Sequence, residues 1–174
     1  EKGFIENSKK RCYYCKCAVF NMIKDYAAKN DVKYVLDGTN LSDLGDYRPG
    51  LKALEELNVV SPLKDSGLTK EEIRILSHKP SFACLASRIP YGDKITKEKL
   101  KLVEEAENYL QDLGFRQYRV RLHNDIARIE VAKDEMNKFF DDEMMKNVHN
   151  KLKEIGFKYV TLDLNGYQMG SLNN

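Results

Sequence analysis

The chain has 174 residues, and its 29 basic side chains are nearly balanced by 27 acidic ones, for a formal net charge of +2. This balance argues against a protein that binds nucleic acid through a broad basic surface, which needs many surplus lysines and arginines. No apolar run approaches the roughly 20 residues of a membrane-spanning helix. Residues 1–10 are polar and do not form a signal peptide, so we expect a cytoplasmic protein with reduced thiols.

The first half of the chain is predicted to combine helices with one strand. Apolar residues recur at helical spacing over residues 11–30. Residues 33–37 predict a short buried strand, which ends at the polar turn of residues 37–40. A short helix follows Pro49, and a capping box that begins at Thr69 starts another.

The second half has the predicted order helix, strand, strand, helix, strand. These elements span residues 96–113, 118–123, 126–131, 136–155 and 159–164. A polar turn containing His123 joins the first two strands, and Gly156 ends the second helix because glycine adopts the left-handed cap conformation. The αββαβ order predicts a small α+β unit with helices on one sheet face. We place the domain boundary between residues 93 and 94, which gives domains 1–93 and 94–174.

The cysteines form the sharpest local signal. Cys12 and Cys15 make a C-x-x-C pair, with Cys17 just behind it and Cys84 far along the chain. Thiolates at this spacing can bind one soft metal centre together. A structural zinc site usually needs four ligands, whereas Cys12, Cys15 and Cys84 would leave one corner of a cubane cluster open. Redox chemistry by the pair, or cysteines that are merely small buried groups, are the alternatives.

A second candidate site follows the predicted strand. Asp37, Gly38 and Asn40 stand where open α/β sheets bind ligands, beyond the carboxyl end of a strand. Glycine permits a nucleotide to approach the backbone closely, and carboxylates such as Asp43 and Asp46 can hold Mg²⁺ through its waters. An ordinary polar turn is the alternative interpretation.

A third segment, residues 84–92, places a thiol four residues before an arginine in a proline-containing loop. The guanidinium of Arg88 could lower the pKa of a neighbouring thiol, and it could also clamp a phosphate. This combination suits a catalytic loop better than a core segment.

The two adjacent strands carry the fourth candidate site. Alternate residues of a strand share a face, so Arg119 and Arg121 lie together, as do Arg128 and Glu130 on the next strand. Two neighbouring guanidiniums repel each other unless an anion or a carboxylate lies between them. A solvated, ion-paired sheet face is the alternative, and we interpret His123 simply as a turn residue.

Taken together, these motifs resemble the LarE family of ATP-dependent sulfur transferases, which make the nickel-pincer nucleotide cofactor of lactate racemase. The matching motifs are residues 11–16, 37–40, 46–50, 84–92 and 119–130. The resemblance implies an α/β fold: the carboxy-terminal part of a PP-loop (adenine nucleotide alpha hydrolase-like) parallel-sheet domain, followed by the small αββαβ domain.

The resemblance also implies a reaction. The family uses ATP with Mg²⁺ to adenylate a carboxylate of pyridinium-3,5-dicarboxylate mononucleotide, and a sulfur nucleophile then displaces AMP to leave a thiocarboxylate. In some members one cysteine gives up its sulfur and becomes dehydroalanine. Members with three cysteines hold a [4Fe–4S] cluster whose open iron carries the sulfide, and this chain resembles that second kind.

Individual residues match the family's functional positions. Cys84 matches the reactive cysteine segment, but its spacing to Arg88 is one residue shorter than in single-cysteine members, which favours cluster ligation over self-sacrifice. The residues expected around the substrate phosphate and the leaving group are Arg88, Arg119, Arg121, Glu107 and Glu130. Those expected on the nucleotide side are Asp37, Gly38, Asn40 and Arg48.

One departure from the family is the absence of the Ser-Gly-Gly-x-Asp-Ser loop, whose N–H groups hold pyrophosphate. We therefore interpret the chain as a fragment and expect it to be inactive alone. The alternatives are a PP-loop tRNA thiolase, which the near-neutral charge disfavours, and a non-enzymatic metal-binding or oligomerisation module. We expect a pyridinium mononucleotide substrate, no membrane or nucleic-acid partner, and a homo-oligomer.

Overall fold

The computed structural model describes residues 1–45, 47–77 and 83–168. The chain divides into two units, Glu1–Phe82 and Ala83–Asn174. The predicted boundary between residues 93 and 94 differs from this one, because the segment that carries Cys84 and Arg88 packs within the second unit. No helix in the described ranges is both long enough and apolar enough to cross a membrane.

The first unit is mainly helical. Its helices are α1 (Lys2–Ile5), α2 (Arg11–Lys29), α3 (Pro49–Glu56), α4 (Pro62–Asp65) and α5 (Lys70–Leu76), with a 3₁₀ turn at Leu41–Gly45. Helix α2 packs against α1 and α3. The capping box at the start of α5 is confirmed, since Thr69 Oγ1 accepts from the N–H of Glu72 and the Glu72 carboxylate accepts from the N–H of Thr69.

The prediction of a buried strand at residues 33–37 is wrong. This segment makes one parallel bridge, between Leu36 and Val60, and the side chains of Tyr34 and Leu36 are more than half exposed. A parallel strand is stabilised by neighbouring strands and by elements that cover both of its faces. Within the described part of this unit, the segment of residues 33–37 has only the single bridge to Val60 and therefore lacks this support.

The second unit has the predicted αββαβ order. It contains α6 (Lys97–Asp112), β1 (Tyr118–His123), β2 (Ile126–Val131), α7 (Asp142–Ile155) and β3 (Tyr159–Leu162), with 3₁₀ turns at Leu85–Arg88 and Lys133–Phe140. The sheet order is β1-β2-β3, in which β1 and β2 are antiparallel and β2 and β3 are parallel. The two-residue turn between β1 and β2 places Asn124 in the left-handed region, at φ 54°.

The core of this unit lies between one face of the sheet and the two long helices. Strand alternation directs one set of apolar side chains to that face. The core residues that are fully or almost fully buried include Val103, Leu110, Val120, Leu122, Ile129, Val131, Val148 and Leu152. The other face of the sheet carries Arg119, Arg121, Arg128 and Glu130, as the sequence predicts.

The second long helix begins later than predicted. Residues 133–140 form a 3₁₀ stretch, and α7 begins after Asp141, whose backbone is extended and whose carboxylate accepts from the N–H of Met144 at 2.8 Å. Such an N-cap ends the preceding segment because its backbone is not helical. At the other end of α7, Gly156 has a φ of 127°, which confirms the predicted glycine cap.

We expect Asp141→Ala to lower the free energy of opening of α7 by about 1 kcal/mol, because the N–H of Met144 loses its acceptor. Hydrogen exchange of α7 peptides, read by mass spectrometry, measures this loss. Asp141→Asn retains a capping oxygen and should exchange nearly as the unmodified chain does. Unchanged exchange in Asp141→Ala would contradict the assignment of this cap.

Candidate functional site

Cys84 stands immediately before the 3₁₀ turn at Leu85–Arg88, near the start of the second unit. The N–H of Ser87 donates to the carbonyl of Cys84 at 2.9 Å and closes this turn. Cys84 is exposed, whereas Arg88 at the other end of the turn is only 1% exposed. The turn therefore presents a thiol to solvent from a segment that is anchored in the protein interior. We call residues 83–88 the thiol segment.

Arg88 anchors the thiol segment through all three of its guanidinium nitrogens. Its Nε and one terminal nitrogen donate to the two carboxylate oxygens of Glu107, at 2.8 and 2.7 Å. The other terminal nitrogen donates to the carbonyls of Ala83 and Cys84 and to Ser87 Oγ, at 2.9, 3.0 and 2.9 Å. In this arrangement Arg88 acts on the conformation of the thiol segment rather than on an anion in solvent.

Glu107 links this arginine to the sheet. The residue is 7% exposed and lies on α6. Besides its two bonds from Arg88, its Oε1 accepts from the backbone N–H of Val120 at 3.0 Å. Because β1 is an edge strand, the N–H of Val120 points away from the sheet, and the Glu107 carboxylate provides its hydrogen-bond acceptor.

A second buried ion pair holds the same segment. Arg121 donates from Nε and one terminal nitrogen to Glu130, at 3.0 and 2.9 Å, and from the other terminal nitrogen to the carbonyl of Ser87 at 2.8 Å. Glu130 is completely buried, and Arg121 is 5% exposed. The two arginine–glutamate pairs therefore have the same arrangement. Two guanidinium nitrogens of each arginine bind the glutamate, and the third binds backbone carbonyls of the thiol segment.

Arg119 lies close enough to both pairs to interact with them electrostatically. It donates to the carbonyl of Tyr118 at 2.6 Å, and its guanidinium carbon lies 5.2 Å from the centre of the Tyr167 ring. Burial is the main cause that lowers the pKa of Arg119, and the positive charges of Arg88 and Arg121 add to it. The structure thus brings together all six residues that the sequence predicts to be catalytic, and their roles in the reaction stay predictions.

Two residues of this site were not predicted from the sequence. Ser87 contributes both its hydroxyl and its carbonyl to the arginine network, and its position between Cys84 and Arg88 in the matching motif was an available signal. Tyr167 covers Arg119 from a turn that follows β3. No local pattern indicates that contact, because the two residues are far apart along the chain.

In the first unit, Asp37 organises the loop of residues 37–40. Its carboxylate accepts from the hydroxyls of Ser61 and Thr39, both at 2.6 Å, and pairs with Lys16 of α2 at 3.4 Å. Burial acts to raise the pKa of Asp37, but the hydrogen bonds from Ser61 and Thr39 outweigh it, so the pKa is lowered. Asp37 is therefore an ionised acceptor that fixes the loop.

The other predicted nucleotide-side residues lie around this loop. Apart from Gly38 itself and its two chain neighbours, no heavy atom of the described residues lies within 4 Å of the place where a side chain on Gly38 would begin, so the backbone is open to close approach there. The N–H of Asn40 donates to Asp43 at 3.1 Å, and Arg48 pairs with Asp43 at 3.0 Å. The side-chain oxygen of Asn40 is buried and has no hydrogen-bond partner within the described ranges. Asp46 lies outside the described residues.

The predicted metal ligands are divided between the two units. Cys12 and Cys15 lie one turn apart on α2 in the first unit, and Cys84 belongs to the second unit. All four cysteines of the chain are thiols rather than disulfides, so the donor set suits a soft metal. Within each unit, the described residues contain no group of three or more His, Cys, Asp or Glu side chains that could hold a metal ion. The three-cysteine cluster stays a prediction.

We expect Glu107→Gln to destabilise the second unit by about 3 kcal/mol, because it leaves the buried charge of Arg88 without its partner. Glu105→Gln on the same helix is the matched control, since Glu105 pairs with Lys101 at 3.5 Å on the exposed surface and its loss costs at most about 1 kcal/mol. The slowest-exchanging amides of β1 and β2 report the unfolding free energy. Equal losses in the two variants would show that the Arg88–Glu107 pair contributes no more than a surface pair.

No protein-family model matches the chain. An uncharacterised protein of Synechocystis sp. is 41% identical over 98% of this chain and 67% of its own length. An uncharacterised protein of Methanocaldococcus jannaschii is 34% identical over 94% of this chain and 66% of its own length.

A third relative carries a functional name. The pyridinium-3,5-bisthiocarboxylic acid mononucleotide synthase of Lactiplantibacillus plantarum is 40% identical over 93% of this chain. The chain spans 61% of the length of that protein and about two thirds of the other two. Similarity at this level, over nearly the whole chain, shows common ancestry, and the chain belongs to the LarE family together with the L. plantarum synthase.

Proposed function

We propose that this chain carries the sulfur-transfer part of an ATP-dependent enzyme that converts a carboxylate of a pyridinium mononucleotide into a thiocarboxylate. The observation that carries the proposal is the exposed thiol of Cys84 on a segment held by two buried arginine–glutamate pairs. The name of the L. plantarum relative supports it, because that protein is called a synthase of a mononucleotide with two thiocarboxylate groups.

The chemistry requires an activated carboxylate and a sulfur nucleophile. Adenylation by ATP with Mg²⁺ turns one carboxylate oxygen into a leaving group and releases pyrophosphate. In the chain without a cluster, the thiolate of Cys84 is the sulfur nucleophile. It attacks the carbonyl carbon, and AMP leaves with the electron pair of the broken C–O bond, which yields a thioester. When a base removes the α-proton of Cys84, the Cβ–S bond breaks, the thiocarboxylate departs with the sulfur, and Cys84 becomes dehydroalanine.

The residues around Cys84 have separable roles in this scheme. Arg88 and Arg121 hold the backbone of the thiol segment, and the two buried glutamates hold the arginines. A thiol on a fixed segment loses little conformational freedom when it attacks, which lowers the entropic part of the barrier. Arg119 adds positive charge beside the segment, where negative charge develops on the attacked oxygen and where the substrate phosphate is negatively charged.

A [4Fe–4S] cluster bound by Cys12, Cys15 and Cys84 is our proposal for the cofactor. When bound, such a three-thiolate cluster supplies an external sulfide for transfer and spares Cys84 from elimination. Its support is the C-x-x-C spacing, which places Cys12 and Cys15 one turn apart on α2, and the thiol state of all three cysteines. Cys17 is not part of the proposed ligand set and provides a control of the same chemical type.

The sulfur-transfer step can be tested without ATP by supplying a pyridinium mononucleotide whose carboxylate is already activated as an acyl adenylate. We expect the chain without a cluster to form the thiocarboxylate once per molecule and to lose the mass of one H₂S from the peptide that contains Cys84. Cys17→Ala should behave as the unmodified chain, whereas Cys84→Ala should form no product. Thiocarboxylate formation by Cys84→Ala, or none by either protein, would overturn the proposed function of Cys84.

The cluster can be tested by its iron content. After anaerobic incubation with iron and sulfide, the chain should bind about four irons and absorb visible light, because thiolates hold such clusters. Removing any one of Cys12, Cys15 and Cys84 should cause most of this iron to be lost, while Cys17→Ala should retain it. Equal iron in all four variants would show that these three cysteines are not the ligands.

A further inference from the structure

The polar face of the sheet in the second unit contains two buried nitrogens with no hydrogen-bond partner among the described residues. They are Nε2 of His123 and Nε of Arg128. The antiparallel register places Arg121 opposite Arg128 and His123 opposite Ile126. His123 and Arg128 are therefore diagonal neighbours on the same face, a relationship that corresponds to about 7–8 Å between backbones and is within reach of long side chains.

A buried polar atom that lacks a partner is uncommon, because losing a hydrogen bond to water costs about 1–3 kcal/mol when nothing replaces it. Two such atoms on neighbouring side chains mark a place that a ligand or water completes. Arg128 Nε can only donate a hydrogen bond. An imidazole nitrogen can donate when the ring proton is on it, so a hydrogen-bond acceptor with two or more oxygens satisfies both atoms.

The charges around these atoms favour an anionic acceptor. Arg128 donates from a terminal nitrogen to Glu130 at 2.8 Å, a carboxylate that it shares with Arg121. Its Nε is 3.5 Å from Asp163, an ion-pair contact without hydrogen-bond geometry. Arg121 and Arg128 together face two carboxylates, Glu130 and Asp163, and Arg119 adds a third positive charge on the same face. A further negative charge is therefore stabilised there by Coulomb attraction.

The environment of His123 agrees with this interpretation. Burial is the main cause that lowers the pKa of His123, and the charges of Arg128 and Arg121 lower it further, while Asp93 and Glu130 oppose them. The imidazole is therefore neutral near pH 7 and adds no positive charge until an anion binds beside it. An anion stabilises the protonated ring, so binding and protonation of His123 favour each other.

We propose that His123 and Arg128 form an oxyanion subsite that binds a carboxylate or phosphate group of the substrate. The identity of the ligand rests on the proposed function, since a pyridinium mononucleotide with two carboxylates has three such groups. The subsite lies next to the thiol segment through Arg121, which binds both Glu130 and the carbonyl of Ser87. It would hold one anionic group of the substrate while another reacts, which makes these two side chains specificity-determining.

Imidazole NMR of the ¹⁵N-histidine-labelled chain tests the subsite with two probes, inorganic phosphate and nicotinate. We expect the Nε2 resonance of His123 to shift and saturate with one or both probes, while that of His149, which is exposed on α7, does not. A response to phosphate alone assigns the subsite to the phosphate group. A response to nicotinate alone assigns it to a carboxylate, and a response to both assigns it to oxyanions in general.

Arg128→Lys should weaken this binding about tenfold, because lysine lacks the Nε donor and the planar fork. The matched control is Arg116→Lys, since Arg116 is an exposed arginine of the same unit that pairs with Asp134 at 2.6 Å. No shift of His123 with either probe, equal shifts of His123 and His149, or equal weakening by the two substitutions would overturn the subsite. Sulfur transfer by Cys84 is measured separately. If the chain forms thiocarboxylate but the His123 resonance does not shift, the oxyanion subsite is refuted and the proposed function is not.

Discussion

The second unit depends on the neutralisation of two carboxylates that have almost no access to water, those of Glu107 and Glu130. Burying an ionised carboxylate costs several kcal/mol unless cations and hydrogen-bond donors replace its water. Arg88 and Arg121 each supply two parallel hydrogen bonds to one of these glutamates, and each then has one nitrogen that must find another acceptor. Carbonyls of the thiol segment are those acceptors. The buried charges are therefore satisfied only when this segment is in place.

This coupling explains how an exposed thiol can be held rigidly. Cys84 itself is at the surface, and Arg88 binds it through its carbonyl. The contacts are to its carbonyl and to those of Ala83 and Ser87, so the backbone is fixed while the sulfur stays accessible. A substitution at Cys84 therefore leaves the scaffold intact, whereas a substitution at Glu107 removes the anchor without touching the sulfur.

Local patterns in the sequence predict the second unit well and the first unit less well. The αββαβ order follows from periodicity and from caps such as Gly156, which depend on nearby residues only. The segment at residues 33–37 has the composition of a strand, but pairing depends on neighbours that a local pattern does not specify. The shared face of Arg119 and Arg121 was predicted from alternation. Their burial was not, since it depends on the packing of Ser87 and of Tyr167, which is distant along the chain.

The arginines of the thiol segment and of the polar sheet face differ in how fully their hydrogen bonds are satisfied, and this difference separates positioning from binding. All three guanidinium nitrogens of Arg88 bind protein acceptors, so an anion gains access to it only by breaking the thiol segment's anchor. Arg128 shares its glutamate with Arg121 and retains a buried donor without an acceptor in the described structure. Native proteins rarely leave such donors unsatisfied, except where a ligand or water completes the site. We therefore assign substrate recognition on this face to the unsatisfied donors of His123 and Arg128, and the positioning of the sulfur to Arg88 and Arg121, which are fully bonded to the protein.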